Sequence, residues 1–246
     1  MKPGPATPRR AAVFGASGAI GQALCQGLIS RGCERVYAGS RKGVWVEKPS
    51  PAIVPFAFDL TDESTIADAA RTMRSDPPQW VIVASGVLTL EHGSGPERTY
   101  KRLDSGVMAE VLALNTVGPA IIAKHMLQLL PRAEPSVFAA LSARVGSISD
   151  NRLGGWHSYR ASKAALNMLL KNFALEMART HKDCVVAGLH PGTVDSLLSK
   201  PFQKGLPEGQ LTEPAQAAEL LLNVLGTLGP DQSGKVFDYA GTELPA

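Results

Sequence analysis

Short apolar runs alternate along this chain with longer segments of helical period, and this alternation restricts the fold more than any other feature. Residues 10–14, 35–39, 53–57, 80–84, 136–141, 184–189 and 235–239 read as strands. Residues 18–31, 62–74, 103–130, 158–180 and 214–228 carry helical spacing, and Gly118-Pro119 is expected to bend or break the longest of them. Strands this apolar, each followed by a helix, require a parallel sheet covered on both faces. The expected fold class is α/β, a doubly wound parallel seven-stranded sheet with helices on both sides. No internal repeat, linker or composition break divides the chain, so residues 10–246 are expected to form one domain after a flexible start at 1–9.

Composition removes several classes of function. The 246 residues suffice to bury roughly three-quarters of the unfolded surface, so neither disulfides nor a metal is needed to fold. A hydrophobic content of 44% with a net charge of only +3 excludes disorder. The basic pairs Arg9-Arg10, Arg41-Lys42 and Lys101-Arg102 never extend into a run that follows a phosphate backbone, so no nucleic-acid partner is expected. Cys25, Cys33 and Cys184 form no CxxC and fit buried thiols in a reducing, cytoplasmic compartment. The start MKPGPATPRR lacks the apolar core of a signal peptide, and the apolar stretch WVIVASGVLTL falls short of the roughly 18 residues of a span, so no membrane partner is expected.

Three local patterns carry chemistry. Gly15-Ala16-Ser17-Gly18-Ala19-Ile20-Gly21 lies between the first strand and first helix, where glycines permit a tight turn and let backbone approach a pyrophosphate at the helix N-terminus. The spacing is GxxGxxG, so Gly15, Ser17, Gly18 and Ile20 are candidate cofactor contacts. About twenty residues on, the second strand ends in Ala38-Gly39-Ser40-Arg41-Lys42 with no carboxylate to grip a ribose 2′-hydroxyl. Arg41 suits a 2′-phosphate instead, so NADP is preferred over NAD. Tyr159 and Lys163 are four residues apart and share a helix face, where an ammonium is expected to lower the phenol pKa toward a useful range.

Taken together, these residues resemble the short-chain dehydrogenase/reductase family, and within it the C-factor-like and Sniffer-like carbonyl reductases. The likeness covers about residues 10–240. It implies a single-domain Rossmann fold and hydride transfer between NADPH and a carbonyl or the corresponding alcohol. Tyr159 and Lys163 match the family's YxxxK pair, implying an acid/base tyrosine and a lysine that also binds the nicotinamide ribose. Asn115 matches the helix asparagine that holds a relay water. Asp59-Leu60 matches the segment that touches the adenine, and Pro191, Gly192 and Val194 match the PG segment beside the nicotinamide carboxamide. The family's NNAG segment reads Val83-Ala84-Ser85-Gly86, which keeps Ser85 and Gly86 for close approach to the cofactor.

The departures concern one glycine and one serine. Ala19 stands where the family's pattern has its second glycine, with Gly18 just before it. Counted from Gly146, the usual register puts Ala143 at the catalytic serine, with Ser142 one residue earlier and Ser147 or Ser149 in the following loop. Ser142 is the favoured donor and Ser147 the next. Residues 196–212 are expected to govern substrate choice, with Leu197, Leu198, Pro201, Phe202 and Leu206 forming an apolar lid or packing the loop down. Residues 93–98 read as a solvated loop with no site. The resemblance also implies a homodimer or homotetramer through helices 103–130 and 158–180. A competing expectation is an NAD(P)-binding signalling protein on the same fold with weak catalysis.

Overall fold

The computed structural model describes residues 7–46, 50–207 and 209–246. Of the expected flexible start, residues 1–6 lie outside the described residues. Arg9 is tied down, since its carbonyl accepts hydrogen bonds from the backbone N–H groups of Glu34 and Arg35.

In chain order, β1 (Arg10–Phe14) leads into α1 (Ala19–Ser30), then β2 (Arg35–Ser40), β3 (Ile53–Ala57), α2 (Glu63–Met73) and β4 (Trp80–Val83). A long irregular connection reaches α3 (Ser105–Leu112), a π-helical turn (Ala113–Val117) and α4 (Gly118–Met126). β5 (Ser136–Leu141), α5 (His157–Met177) and β6 (Cys184–His190) follow. The short strands β7 (Thr193–Val194) and β8 (Leu211–Thr212) pair with each other, and α6 (Pro214–Thr227) precedes β9 (Lys235–Asp238).

The main sheet has seven strands, all parallel, in the order β3-β2-β1-β4-β5-β6-β9. One face packs Leu24 and Leu28 of α1 and Leu221 and Leu225 of α6 over Val13, Ile82 and Val185. The other packs Ile66, Ile122, Met126, Leu166 and Leu170 over Phe14 and Phe138. The strands are buried from both sides, as their unbroken apolar runs require. Strand order reverses between β1 and β4, and in sheets of this kind the crevice beyond the strand ends at that point takes the ligand.

The long helical segment is interrupted immediately before Gly118-Pro119, near the pair expected to bend or break it. Pro119 has no N–H to offer the carbonyl of Asn115, and the chain relaxes there into the π turn that carries Asn115. Ser105–Leu129 is also long and apolar enough to cross a membrane by length and composition, which WVIVASGVLTL is not. Here its Ile122, Ala123 and Met126 are fully buried against the sheet, so the apolar character serves the core.

Candidate active site

The crevice at the strand reversal opens into a cavity of about 920 Å³ lined by residues 17–22, Arg41, 84–88, 141–145, Trp156, Tyr159, Lys163, 190–194, 196–199, Phe202 and Leu206. Its floor under α1 is made by the glycine turn. Gly15 sits at φ 102°, and a Cβ there would meet Ser85 Oγ at 2.6 Å, so β1 and β4 approach through a residue with no side chain. A Cβ on Gly21 would lie 2.1 Å from the Gly15 carbonyl oxygen, which holds the first turn of α1 against the strand end. Gly18 is different: its Cβ position meets only the Gly15 oxygen at 3.5 Å, leaving room on the cavity side. The N-terminus of α1 has no side-chain cap and no acidic residue in its first turn, so its free N–H groups face the cavity.

Arg41 lines the same end. Its guanidinium pairs with Glu91 at 2.7 Å, and both side chains are largely exposed, so the pair is weak and leaves the guanidinium accessible to an anion. Asp59 and Leu60 do not line the cavity. The Asp59 carboxylate accepts from the backbone N–H and hydroxyl of Thr61, which, with Arg41 nearby, holds it below the usual carboxylate range. Leu60 packs where a Cβ on Gly118 would stand.

Tyr159 and Lys163 meet the cavity from one face of α5. The Lys163 ammonium donates to the Leu141 carbonyl at 2.9 Å and lies 5.7 Å from the Tyr159 ring centroid. Gly86 makes this possible, because a Cβ there would crowd Asn115 Oδ1 at 3.1 Å and Lys163 Nζ at 3.5 Å. Burial lowers Lys163 to about 8 and raises Tyr159 to about 12. Desolvation sets the direction for Tyr159, so the lowering expected from a neighbouring ammonium is not the effect that governs the phenol here. Asn115 is fully buried, and its amide clamps both backbone groups of Val87 and donates to Ser162 Oγ. Pro191, Gly192 and Val194 line the far wall. Gly192 adopts φ 76°, with the Tyr239 ring 2.9 Å from its Cβ position.

A family model described as short chain dehydrogenase matches residues 9–206. The chain belongs to the short-chain dehydrogenase family. Among its relatives, 34% identity over 143 residues links this short-chain dehydrogenase to C-signal of Myxococcus xanthus, covering 58% of this chain and 81% of that protein. It is 30% identical over 233 residues to 1-hydroxy-2-glutathionyl-2-methyl-3-butene dehydrogenase of Rhodococcus sp., covering 94% and 97% of the two chains. The fold is shared with the NADPH-bound carbonyl reductase from chicken fatty liver at a TM-score of 0.84 and 23% identity, over 100% of this chain and 97% of that one.

Of the candidate serines, Ser142 alone lies in the cavity wall. Ser142 borders the cavity and is buried, but its hydroxyl donates to Asn167 Oδ1 at 2.6 Å, on the turn of α5 after Lys163. Ser147 and Ser149 do not line the cavity, and both hydroxyls donate to the Ala246 carbonyl. Ala143 lines the cavity next to Ser142. In the loop after β7, Leu197, Leu198, Phe202 and Leu206 line the cavity, whereas Pro201, Lys200 and Lys204 are exposed outside it; Glu208 lies outside the described residues.

Two contributors have little sequence signal. Residues 93–98 are not simply a solvated loop, because Glu97 is only 6% exposed. Its carboxylate accepts from the backbone N–H of Ser158 at 3.1 Å and from the Ser158 hydroxyl, and its carbonyl accepts from the Trp156 N–H. Those bonds hold the carboxylate below its ordinary pKa against the opposing effect of burial, and they cap α5 from sixty residues away. Trp156 itself takes a left-handed backbone (φ 51°, ψ 42°) and lines the cavity beside Tyr159. An unusual Gly154-Gly155-Trp156 just ahead of the YxxxK helix was the available clue.

Proposed function

We propose that this short-chain dehydrogenase is an NADP-dependent carbonyl reductase with Tyr159 as its acid/base. The observation that carries this reading is the Tyr159–Lys163 pair, set on one helix face in the wall of a cavity whose other end is a glycine turn flanked by Arg41. The residues fit a nicotinamide dinucleotide: Gly15 and Gly192 adopt positive φ, the Cβ direction of Gly18 is open, and α1 presents uncapped N–H groups. Gly15, Ser17, Gly18 and Ile20 would hold the pyrophosphate, and Arg41 the 2′-phosphate once it leaves Glu91. Asp59 and Leu60 would flank the adenine from outside the wall. Ser85, Gly86 and Lys163 would border the nicotinamide ribose, with Pro191, Gly192 and Val194 at the carboxamide.

NADPH bound there supplies the hydride. Tyr159, protonated throughout the neutral range, donates its proton to the carbonyl oxygen as negative charge develops. The Lys163 ammonium stabilises the resulting phenolate and can return a proton to it. Asn115 holds the 85–88 segment in position through Val87. Ser142 acts indirectly, locking the end of β5 onto α5 through Asn167, so that Tyr159 is the principal polar contact for the substrate oxygen.

The competing reading of a signalling protein with weak catalysis draws on the C-signal likeness and on the withdrawn Ser142 hydroxyl. NADPH oxidation over a panel of aldehydes and ketones separates the two. Tyr159→Phe is expected to cut turnover by about 10³-fold while NADPH binding stays within about twofold. Tight NADPH binding with no turnover by the unaltered protein favours the signalling role. We further propose a cytoplasmic homodimer or homotetramer. The support is three buried thiols whose pKa values burial raises to about 11 or 12, and exposed Val117 and Met168 on the long helical segments. Light scattering checks the assembly.

A further inference from the structure

We infer that Trp156 and Phe202 form a built wall that selects planar, apolar carbonyl compounds, such as aryl ketones and conjugated aldehydes, over charged conjugates. This rests on the carbonyl-reductase reading and names its substrate class.

Trp156 is the non-glycine residue with positive φ among the described residues, a conformation that costs about 1 kcal/mol or more and persists only where its surroundings impose it. Here they do. Gly154 and Gly155, both at positive φ, turn the chain into position, and Glu97 bonds to the backbone of Trp156 and Ser158 on either side of His157. The indole therefore stands in a fixed place at the start of the helix that carries Tyr159. It meets the Tyr159 ring edge-on at 6.2 Å and packs at 5.3 Å on Phe202, which comes from the loop after β7. One aromatic surface thus joins the acid/base residue to the loop that borders the substrate.

Leu88, Val145, Leu198 and Leu206 add apolar lining, and the hydroxyls of Ser196 and Ser199, which also border the cavity, donate to the Val194 carbonyl. The cation that reaches this end is Arg144, already paired with Asp238 at 3.4 Å and with Asp150 at 3.7 Å. Lys200 and Lys204 are exposed and do not line the cavity. With the Ser142 hydroxyl turned to Asn167, binding at this end relies on apolar contact and ring stacking around one phenol. A glutathione conjugate, which carries two carboxylates, meets one half-exposed guanidinium whose charge Asp238 and Asp150 already balance, and gains less there than an apolar ring gains from the wall. The Rhodococcus relative acts on such a conjugate by its name, so the two proteins are expected to differ in this wall.

The test compares 2-acetylnaphthalene, propanal and a ketone-bearing glutathione conjugate as substrates with NADPH. The protein is expected to favour the naphthyl ketone over propanal in kcat/KM by about 50-fold, and over the conjugate by at least as much. Trp156→Ala should reduce the naphthyl preference to about fivefold, with propanal losing about threefold. Phe202→Leu, which keeps the volume apolar without the ring, should lower it to a lesser degree. Preference for the conjugate, or equal losses for ketone and propanal in both variants, overturns the proposal. Binding of the same compounds to the NADPH-loaded protein is read by calorimetry, independently of turnover. If no carbonyl is reduced, the oxidoreductase reading falls, while tighter binding of the naphthyl ketone still supports the wall and equal binding overturns it.

Discussion

At the N-terminus of α1 the cavity is walled by backbone, whereas around Tyr159 it is walled by side chains. The first end is built from one continuous stretch, Gly15 to Gly21, in which the important property of several residues is the side chain they lack. The second draws on β5, α5, the end of β6 and two loops, and depends on which way each side chain turns. A backbone site tolerates or rejects a substitution according to the space at a single Cβ. A side-chain site depends also on the partner each group finds, as the Ser142 hydroxyl finds Asn167.

The sharpest way to break this contrast lies within the glycine turn itself. Gly21→Ala places a Cβ where the Gly15 oxygen sits 2.1 Å away, against backbone that cannot yield, and is expected to cost about 3 kcal/mol. Gly18→Ala meets ordinary contact at 3.5 Å and, as an N-cap change, should cost about 1 kcal/mol or less. Denaturant unfolding of the two variants measures both; equal losses would show that space at Cβ does not govern this end.

The side-chain end is tested first through Lys163. Burial brings its pKa down to about 8 from 10.5, so the ammonium is present below that pH and lost above it. Carbonyl reduction should therefore be flat below about pH 8 and fall about tenfold per unit above it. The pH profile of kcat/KM checks this, and a flat profile to pH 10 contradicts it. Arg41→Ala comes next in size, weakening NADP by about tenfold while NAD changes by less than about twofold, as read by titration calorimetry. Equal losses would remove Arg41 from the 2′-phosphate. The smallest effect is expected from Ser142→Ala, about threefold in kcat/KM, because the hydroxyl serves Asn167; a loss of about 100-fold would return it to the role of donor to the substrate oxygen.

The same division explains what was legible beforehand. β1, β3 and β5 fall on the residues their apolar runs indicate, and the seven-stranded parallel sheet follows from their alternation with helices. Tyr159 and Lys163 share a face because four residues make about one helical turn, and Gly15 and Gly192 take the positive φ that glycine allows. Burial of Tyr159 and Lys163 is not legible in their spacing, which shows that an ammonium is near but not that both groups are desolvated. The burial of Glu97 within the polar segment 93–98 is not legible, because nothing local distinguishes a carboxylate in a polar loop from one folded back onto a helix end sixty residues away.

From sequence alone, then, came the properties that repeat with the chain's own geometry: strand and helix periods, the glycine turn between β1 and α1, and the YxxxK face. Tertiary structure decided which bond Ser142 makes, where Glu97 is spent, and that Trp156 meets Phe202 beside Tyr159. The reason is physical. Local patterns obey the dihedral preferences of neighbouring residues, whereas a hydrogen-bond partner or an aromatic contact is chosen by whatever the fold brings within about 3–6 Å.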